Sequence, residues 1–395
     1  MSGQFMDLHK KHSGMYDCIV VGGGAIGLGT GLHLARQGHR TLLLEQFSLP
    51  HSRGSSSGLS RMYRNAYLKD HHSAMVGEIM QMWEELERET NTTLHKKTGL
   101  LMIGKKNNPK FLQMRENLMK RQLPFEELTV QQLMNRYPKR LYRGDYSILL
   151  DTEAGVLTAN KCLHILQDQF VKRGGTLHDC EKVVKIEPGR IVTVHINKGH
   201  QYRAGSLVIA PGPWASKLLK PLGLELPLKV WRANVCFFKE KQPGSYRDQP
   251  MMFDEPGEGF IYCFPSRDYP GYMKFGFHLR WDEVDPDERD SGIRDRPQVD
   301  IERIKAYVRE HFPGLEPEPS IIENCLYTCT PEEDIIIDTH PVYHNIAIGC
   351  GFSGKGFKMA PLMGKILGDL AMGKPTTYDL SPISIKRYLQ PKPKL

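Results

Sequence analysis

Residues 18–45 read Cys18-Ile-Val-Val-Gly22-Gly-Gly24-Ala-Ile-Gly27-Leu-Gly-Thr-Gly-Leu-His-Leu-Ala-Arg-Gln-Gly-His-Arg-Thr41-Leu-Leu-Leu-Glu45. The apolar run Ile19 to Val21 predicts a strand buried on both faces. Gly22, Gly24 and Gly27 supply G-x-G-x-x-G: the first allows a tight turn, the second a close backbone approach to a pyrophosphate, the third close packing of helix on strand. Leu28, Leu32 and Ala35 continue at helical spacing to Gly38, a helix end. Thr41 to Leu44 is a second strand, and Glu45 closes it about 20 residues past the turn, where a carboxylate takes a ribose hydroxyl pair. Gln46 follows, with no adjacent Arg or Lys for a 2′-phosphate, which argues against NADP and leaves NAD or FAD.

A chain of 395 residues, 40% hydrophobic and 25% charged, can bury a large core in two or three units. No apolar run approaches the ~20 residues that span a bilayer, so no membrane insertion is expected. Met1 to Met15 is polar and lacks the apolar stretch of a secretory signal. The net charge is +8, but Lys and Arg are scattered with no basic stripe, which excludes nucleic acid as the expected partner. A mild positive field favours an anionic substrate instead. The eight cysteines show neither C-x-x-C nor zinc spacing, so no metal is expected, and they suit a reducing compartment.

Farther along, residues 49–69 form a small-residue loop, and 71–90 carry Met75, Ile79, Met82 and Trp83 at helical period. Residues 108–140 hold one or two surface helices, and a helical pattern resumes over 155–171. Val183 to Ile186, Ile191 to Ile196 and Ser206 to Ala210 predict strands. The stretch 228–281 is strand-rich without a long helix, which predicts an antiparallel sheet in a second domain. Ile301 to His311 is amphipathic. Ile335 to Asp338 and Asn345 to Gly349 are strands again, and the glycine loop 351–356 leads into a helix over 359–370, so the dinucleotide domain is discontinuous.

Six blocks then stand in order: Gly22-x-Gly24-x-x-Gly27 with Glu45; Gly54-Ser-Ser-x-Gly58-x-Ser-Arg61-x-x-Arg64-x-Ala-Tyr67; Tyr262-x-Phe-Pro-Ser266; Lys274-x-Gly-x-His278; Cys325-x-Tyr327-Thr-x-Thr330-Pro; and Gly351-Phe-Ser-Gly-x-Gly-Phe-Lys358. From Val20 to about Ile385 the chain resembles the monomeric sarcosine oxidase family of FAD enzymes, and most closely its peroxisomal sarcosine/L-pipecolate oxidase branch. The resemblance implies an α/β fold: an FAD-binding Rossmann-like domain of the glutathione-reductase or D-amino-acid-oxidase type over 1–95, 150–225 and 323–395. An antiparallel-sheet substrate domain would occupy 96–149 and 226–322.

The same resemblance implies roles. Cys325 would carry FAD through a thioether to the flavin 8α carbon, with Cys329 as the neighbouring alternative. Arg64 and Lys358 would hold a substrate carboxylate, a fork and a point charge suited to that group. Lys274 would activate O2 by stabilising developing negative charge. Arg61, His278 and Tyr327 would line the reacting centre, and Tyr262 would bracket the substrate. Gln46, Ser57, Val183, Gly354, Lys355 and Gly356 would touch the cofactor. Ser57 and Lys355 stand where many relatives carry histidine, which leaves the choice among sarcosine, L-pipecolate, L-proline and other N-substituted amino acids open.

The expected activity is oxidation of the C–N bond of a small secondary amino acid, with O2 as acceptor and an imine and H2O2 as products. The alternatives are a flavin dehydrogenase using another electron acceptor and a non-catalytic FAD-binding relative. A monomer is expected. Pro393-Lys394-Leu395 shares two positions with the S-K-L peroxisomal address, which would engage an import receptor; the alternative is a cytoplasmic protein with a polar tail.

Overall fold

The computed structural model describes residues 14–255, 259–278, 282–291 and 298–389. The tail Pro393-Lys394-Leu395 lies outside them.

Strand Tyr16–Val21 sits at the centre of an eight-stranded sheet. It runs parallel to Thr41–Leu44 on one edge and Gln201–Ile209 on the other, with Val20 opposite both Leu43 and Val208. Side chains alternate across a strand. Cys18 and Val20 therefore enter one core, beneath helices Ala25–Arg36, Asp70–Thr90, Ala159–Lys172 and Gly356–Ala371, while Ile19 and Val21 enter a second core on the opposite face. This two-sided burial is why the strand is a continuous apolar run rather than an alternating one. Ile346–Cys350 joins Gln201–Ile209 in parallel beyond the point where Val192–Ile196 leaves it, and Ile336–Thr339 closes that side.

The first helix crosses Gly356–Ala371 at small residues. A Cβ on Gly29 would lie 2.5 Å from the Ala360 carbonyl oxygen, and one on Gly364 would lie 2.3 Å from the Gly29 carbonyl carbon. Each glycine costs a helix about 1 kcal/mol against alanine, a cost offset here by backbone-to-backbone approach.

A second eight-stranded sheet has the order Leu315–Cys329, Lys229–Glu240, Tyr272–His278, Phe260–Pro265, Met251–Glu255, Leu100–Lys105, Tyr146–Asp151, Phe125–Leu128. Within 228–281 the strands pair antiparallel as expected, and Met251–Glu255 adds a parallel pairing with Leu100–Lys105. The reason is that the sheet joins two separate stretches of chain rather than one run of hairpins. The expected boundaries also cut strands: position 323 falls inside Leu315–Cys329, which pairs with Lys229–Glu240 as far as Cys329, and 149/150 falls inside Tyr146–Asp151. Cys325 and Tyr327 thus belong to the second sheet. The helical pattern expected from 155 starts instead at Ala159. Gly155–Thr158 is a strand between Ser60–Tyr63 and His95–Lys97, admitted because a Cβ on Gly155 would meet the Lys96 carbonyl oxygen at 2.1 Å.

Among the described residues no helix is long and apolar enough to cross a membrane.

Candidate active site

The two sheets enclose a cavity of about 1480 Å³, larger than the 300–1,000 Å³ of pockets for one drug-sized molecule. Of the site residues singled out in the sequence, all but Gly27 and the alternative Cys329 line it. Gly27 sits one layer back, where a Cβ would be 1.8 Å from the Gly22 carbonyl oxygen, so it packs the helix onto the turn and does not meet a ligand.

The glycine turn forms one end. Gly22 adopts φ +110°, and a Cβ there would lie 2.4 Å from the Ala210 carbonyl oxygen, so the position requires glycine. Gly24 starts the helix without capping it; Ser56 Oγ accepts from Ala25 N at 3.0 Å instead. Glu45 Oε2 accepts from Gly23 N at 2.8 Å and Oε1 from Phe47 N at 2.9 Å, which fixes its carboxylate at the cavity wall with lone pairs to spare for hydroxyl donors. Gln46 and Val183 continue that wall. A glycine cradle at a helix N-terminus, with a fixed acid beside it, fits a dinucleotide.

Arg61 lines the cavity, with its guanidinium engaged by its own loop. Its guanidinium donates to the carbonyls of Ser60 (2.9 Å), Ser55 (3.2 Å) and Ser57, and lies over Phe357 with 5.5 Å to the ring centroid. It clamps the serine loop, Ser57 included, against the cavity.

At the other end Arg64 stands 5.0 Å from the centroids of both Tyr67 and Phe253, and Lys358 Nζ lies 6.0 Å from Tyr67. Neither forms an ion pair with a carboxylate among the described residues. Burial, with Arg64 and Lys355 adding, drives the Lys358 ammonium well below its ordinary range. Lys355 Nζ donates to the Glu333 carbonyl at 2.6 Å, and burial brings its ammonium down to about 8. Gly354 keeps φ +78° beside His278 and Tyr327, and Gly356 starts the helix that carries Lys358.

Between the ends, His278 stacks on Phe260 at 4.5 Å, lies 5.3 Å from Tyr327, and directs Nε2 to Glu333 Oε1 at 3.4 Å. Tyr262 and Tyr327 are hydrogen-bonded to one another, and burial pushes both phenols up, so they stay neutral. Cys325 opens onto the cavity, whereas Cys329 is buried and does not line it. Burial raises the Cys325 thiol, and Arg61, Lys274 and Arg289 pull it back down.

Lys274 is 5% exposed, paired to Asp268 Oδ2 at 2.9 Å. The sequence reading missed Arg289, which lines the cavity, and Asp268, Gly276 and Trp83, which stand behind Lys274, Tyr262 and Lys358. Arg289 ties Ser52 O (2.5 Å) and Arg53 O (2.7 Å) to Asn324 O (3.3 Å). It lies in a charged stretch whose composition resembles a surface loop. Asp334 pairs with Lys69 at 2.8 Å and lies 2.9 Å from His72, whose imidazole burial brings down to about 4. His71, His72 and Asp334 lie within metal-sharing distance, and the Lys69 ammonium holds Asp334 Oδ2.

A dinucleotide cradle opening onto an aromatic, cation-rimmed chamber defines a flavin-dependent oxidoreductase, and the sequence family described as DAO, FAD dependent oxidoreductase, matches residues 17–370. The chain belongs to that family. It is 45% identical to the human (Homo sapiens) peroxisomal sarcosine oxidase over 95% of this chain and 96% of the relative. It is 33% identical to the monomeric sarcosine oxidase of Bacillus sp. (strain NS-129), over 94% and 97%. Among solved structures, NikD, an unusual amino acid oxidase essential for nikkomycin biosynthesis, superposes with a TM-score of 0.81 at 26% identity, covering 94% of this chain and 97% of that one.

Proposed function

We propose that this protein oxidises small secondary amino acids, N-methyl or cyclic, with O2 as acceptor, yielding an imine and H2O2. The observation that carries this reading is the meeting of Arg64, Lys355 and Lys358, none within ion-pair distance of a carboxylate among the described residues, at an aromatic chamber beside the dinucleotide cradle. The 45% identity to a peroxisomal sarcosine oxidase supports the substrate class and a peroxisomal location.

FAD, held by the Gly22–Gly24 turn, Glu45 and Gln46, supplies the two-electron acceptor. Arg64 grips the substrate carboxylate as a fork and Lys358 as a point charge. A carboxylate arriving at Lys358 stabilises the ammonium form that burial disfavours. The same cluster of cations disfavours an ammonium, so the substrate amine binds neutral, the form that can give up electrons. Tyr262, Tyr327 and Phe260 wall the apolar body of the substrate and exclude water. Lys274 presents a positive charge where O2 becomes reduced. Cys325 Sγ is the attachment point for the flavin.

A panel of sarcosine, L-pipecolate, L-proline and primary amino acids tests the reading. Secondary amino acids should bleach the flavin anaerobically and consume O2 in an electrode. Bleaching without O2 uptake would make the protein a dehydrogenase; no bleaching by any member would make it non-catalytic. Acid precipitation should leave the yellow colour in the pellet, and Cys325→Ser should release it.

A further inference from the structure

Burial penalises the charged form of Lys274, which is 5% exposed, and lowers its ammonium below the ordinary range, with Asp268 opposing the fall. Lys274 has a specific remedy. Asp268 Oδ2 lies 2.9 Å from Nζ, Ser60 Oγ lies 3.2 Å from it, and Ser60 Oγ also donates to the same carboxylate oxygen at 3.1 Å. The rings of Phe237 and Phe264 flank the ammonium at 5.4 and 5.6 Å, close enough for the ring faces to attract it. Asp268 cannot drift from this position: it lies in the turn between Phe260–Pro265 and Tyr272–His278, where Ser266 Oγ accepts from Tyr269 N at 2.9 Å and Ser266 N donates to Tyr272 O at 2.8 Å. Its second oxygen, Oδ1, is sealed without a partner, so the carboxylate is committed to Lys274 and Ser60 through one atom.

We propose that Asp268 is a positioning residue, which together with Ser60 holds the ammonium of Lys274 charged and fixed at the cavity wall. The inference rests on the oxidase reading above for its consequence, the pH-independence of the O2 step, but not for the ion pair itself.

The other groups facing Lys274 do not replace Asp268. Arg61, from the strand Ser60–Tyr63, opposes the ammonium. Glu323, on Leu315–Cys329, favours it, but its Oε1 is engaged by Tyr269 Oη at 2.7 Å. Cys325, on the same strand, is neutral as a buried thiol. Removing the carboxylate therefore leaves a buried ammonium beside a guanidinium, and its proton should leave as pH rises through the working range.

The test uses substrate-free holoenzyme, photoreduced and mixed with O2 between pH 6 and 9, as wild type, Asp268→Asn, Asp268→Glu and Lys274→Met. In parallel, the Lys274 side chain is titrated by NMR in protein carrying 13Cε-lysine, its resonance assigned by loss in Lys274→Met. Wild type should reoxidise at a constant rate. Asp268→Asn should fall at least tenfold by pH 9, toward Lys274→Met, and recover toward wild type at pH 6, with the Lys274 midpoint lowered by at least one pH unit. Asp268→Glu should behave like wild type. An unmoved midpoint, or an Asp268→Asn rate as flat as wild type, overturns the proposal. Should Asp268→Asn fail to fold, Ser60→Ala, which removes the second partner, must lower the midpoint in the same direction. If no form reacts with O2, the oxidase reading fails, and the NMR midpoint alone still decides the role of Asp268.

Discussion

The indole Nε1 of Trp83 donates a 2.9 Å hydrogen bond to the backbone carbonyl of Lys358. Trp83 is fully buried on helix Asp70–Thr90, and its ring lies parallel to that of Phe357, centroids 6.4 Å apart. Helix Asp70–Thr90 is thereby tied to the first turn of the helix bearing Lys358. Trp83→Phe keeps most of the volume but removes that bond, a loss of about 1 kcal/mol. Thermal unfolding should shift down by a few degrees, and KM for the amino acid should rise severalfold while kcat changes less. An unchanged KM would mean that the bond serves stability alone.

Arg64 and Lys358 offer a sharper test of carboxylate binding. Arg64→Ala and Lys358→Met should each raise KM by about two orders of magnitude, the scale of losing a charge-assisted contact in a dry site. Burial lowers the Lys358 ammonium well below its ordinary range, and a bound carboxylate raises it again. Binding of a non-reacting carboxylate should therefore favour proton uptake, measurable with an indicator dye at pH 7.5 to 8.5. Lys358→Met should reduce that uptake, and Lys355→Gln should remove the share taken up by Lys355. Uptake left unchanged in Lys358→Met would mean that another group holds the carboxylate.

Lys355 gives the site a pH dependence with a definite sign. Burial brings its ammonium down to about 8, Glu333 opposing and Arg64 adding to the fall. The cation is present below that pH and is lost as pH rises through it. Attraction for an anionic substrate should therefore weaken above pH 8, seen as a rising KM. In Lys355→Gln the KM should already be higher at pH 7 and should lose that step. A wild-type KM that stays constant from pH 7 to 9.5 would remove Lys355 from substrate binding.

The glycine turn was legible because Gly22 and Gly27 are demanded by backbone contacts 2.4 and 1.8 Å from a would-be Cβ, a constraint that leaves a local pattern. Leu100–Lys105 and Phe125–Leu128 left none. The first pairs in parallel with Met251–Glu255, about 150 residues farther on, and the second is a half-exposed Phe-Glu-Glu-Leu edge strand without alternation. The site divides in the same way. Motif blocks brought Arg64, Lys274, Cys325, Tyr327 and Lys358 to one cavity. The bonds of Arg61 to its own loop were not legible, because a motif arginine does not announce which carbonyls its fork will meet. Asp268 was invisible because Ser-Arg-Asp-Tyr-Pro-Gly has the composition of a solvent turn. Its burial is created by Ser60, more than 200 residues earlier, through contacts that no local pattern encodes.

Gly276 and Tyr262 are opposite one another on adjacent strands, and a Cβ on Gly276 would stand 2.2 Å from both Cζ and Oη of Tyr262. The missing side chain is what lets the Tyr262 ring lie flat across the strand and meet Tyr327 at the chamber wall. Gly276→Ala should force the ring out, lowering kcat/KM by about 100-fold and the unfolding midpoint with it. Tyr262→Phe should be milder, because the ring keeps its place and only the hydroxyl goes. It should not rescue Gly276→Ala, since the ring carbon Cζ is as close as the oxygen. Tyr262→Ala should, by making room for the added methyl. The double variant Tyr262→Ala/Gly276→Ala is therefore expected to be no worse than Tyr262→Ala alone, a departure from additivity that marks direct contact. Additive losses across this cycle would instead place the effect of Gly276 in the strand backbone and not in the wall of the chamber.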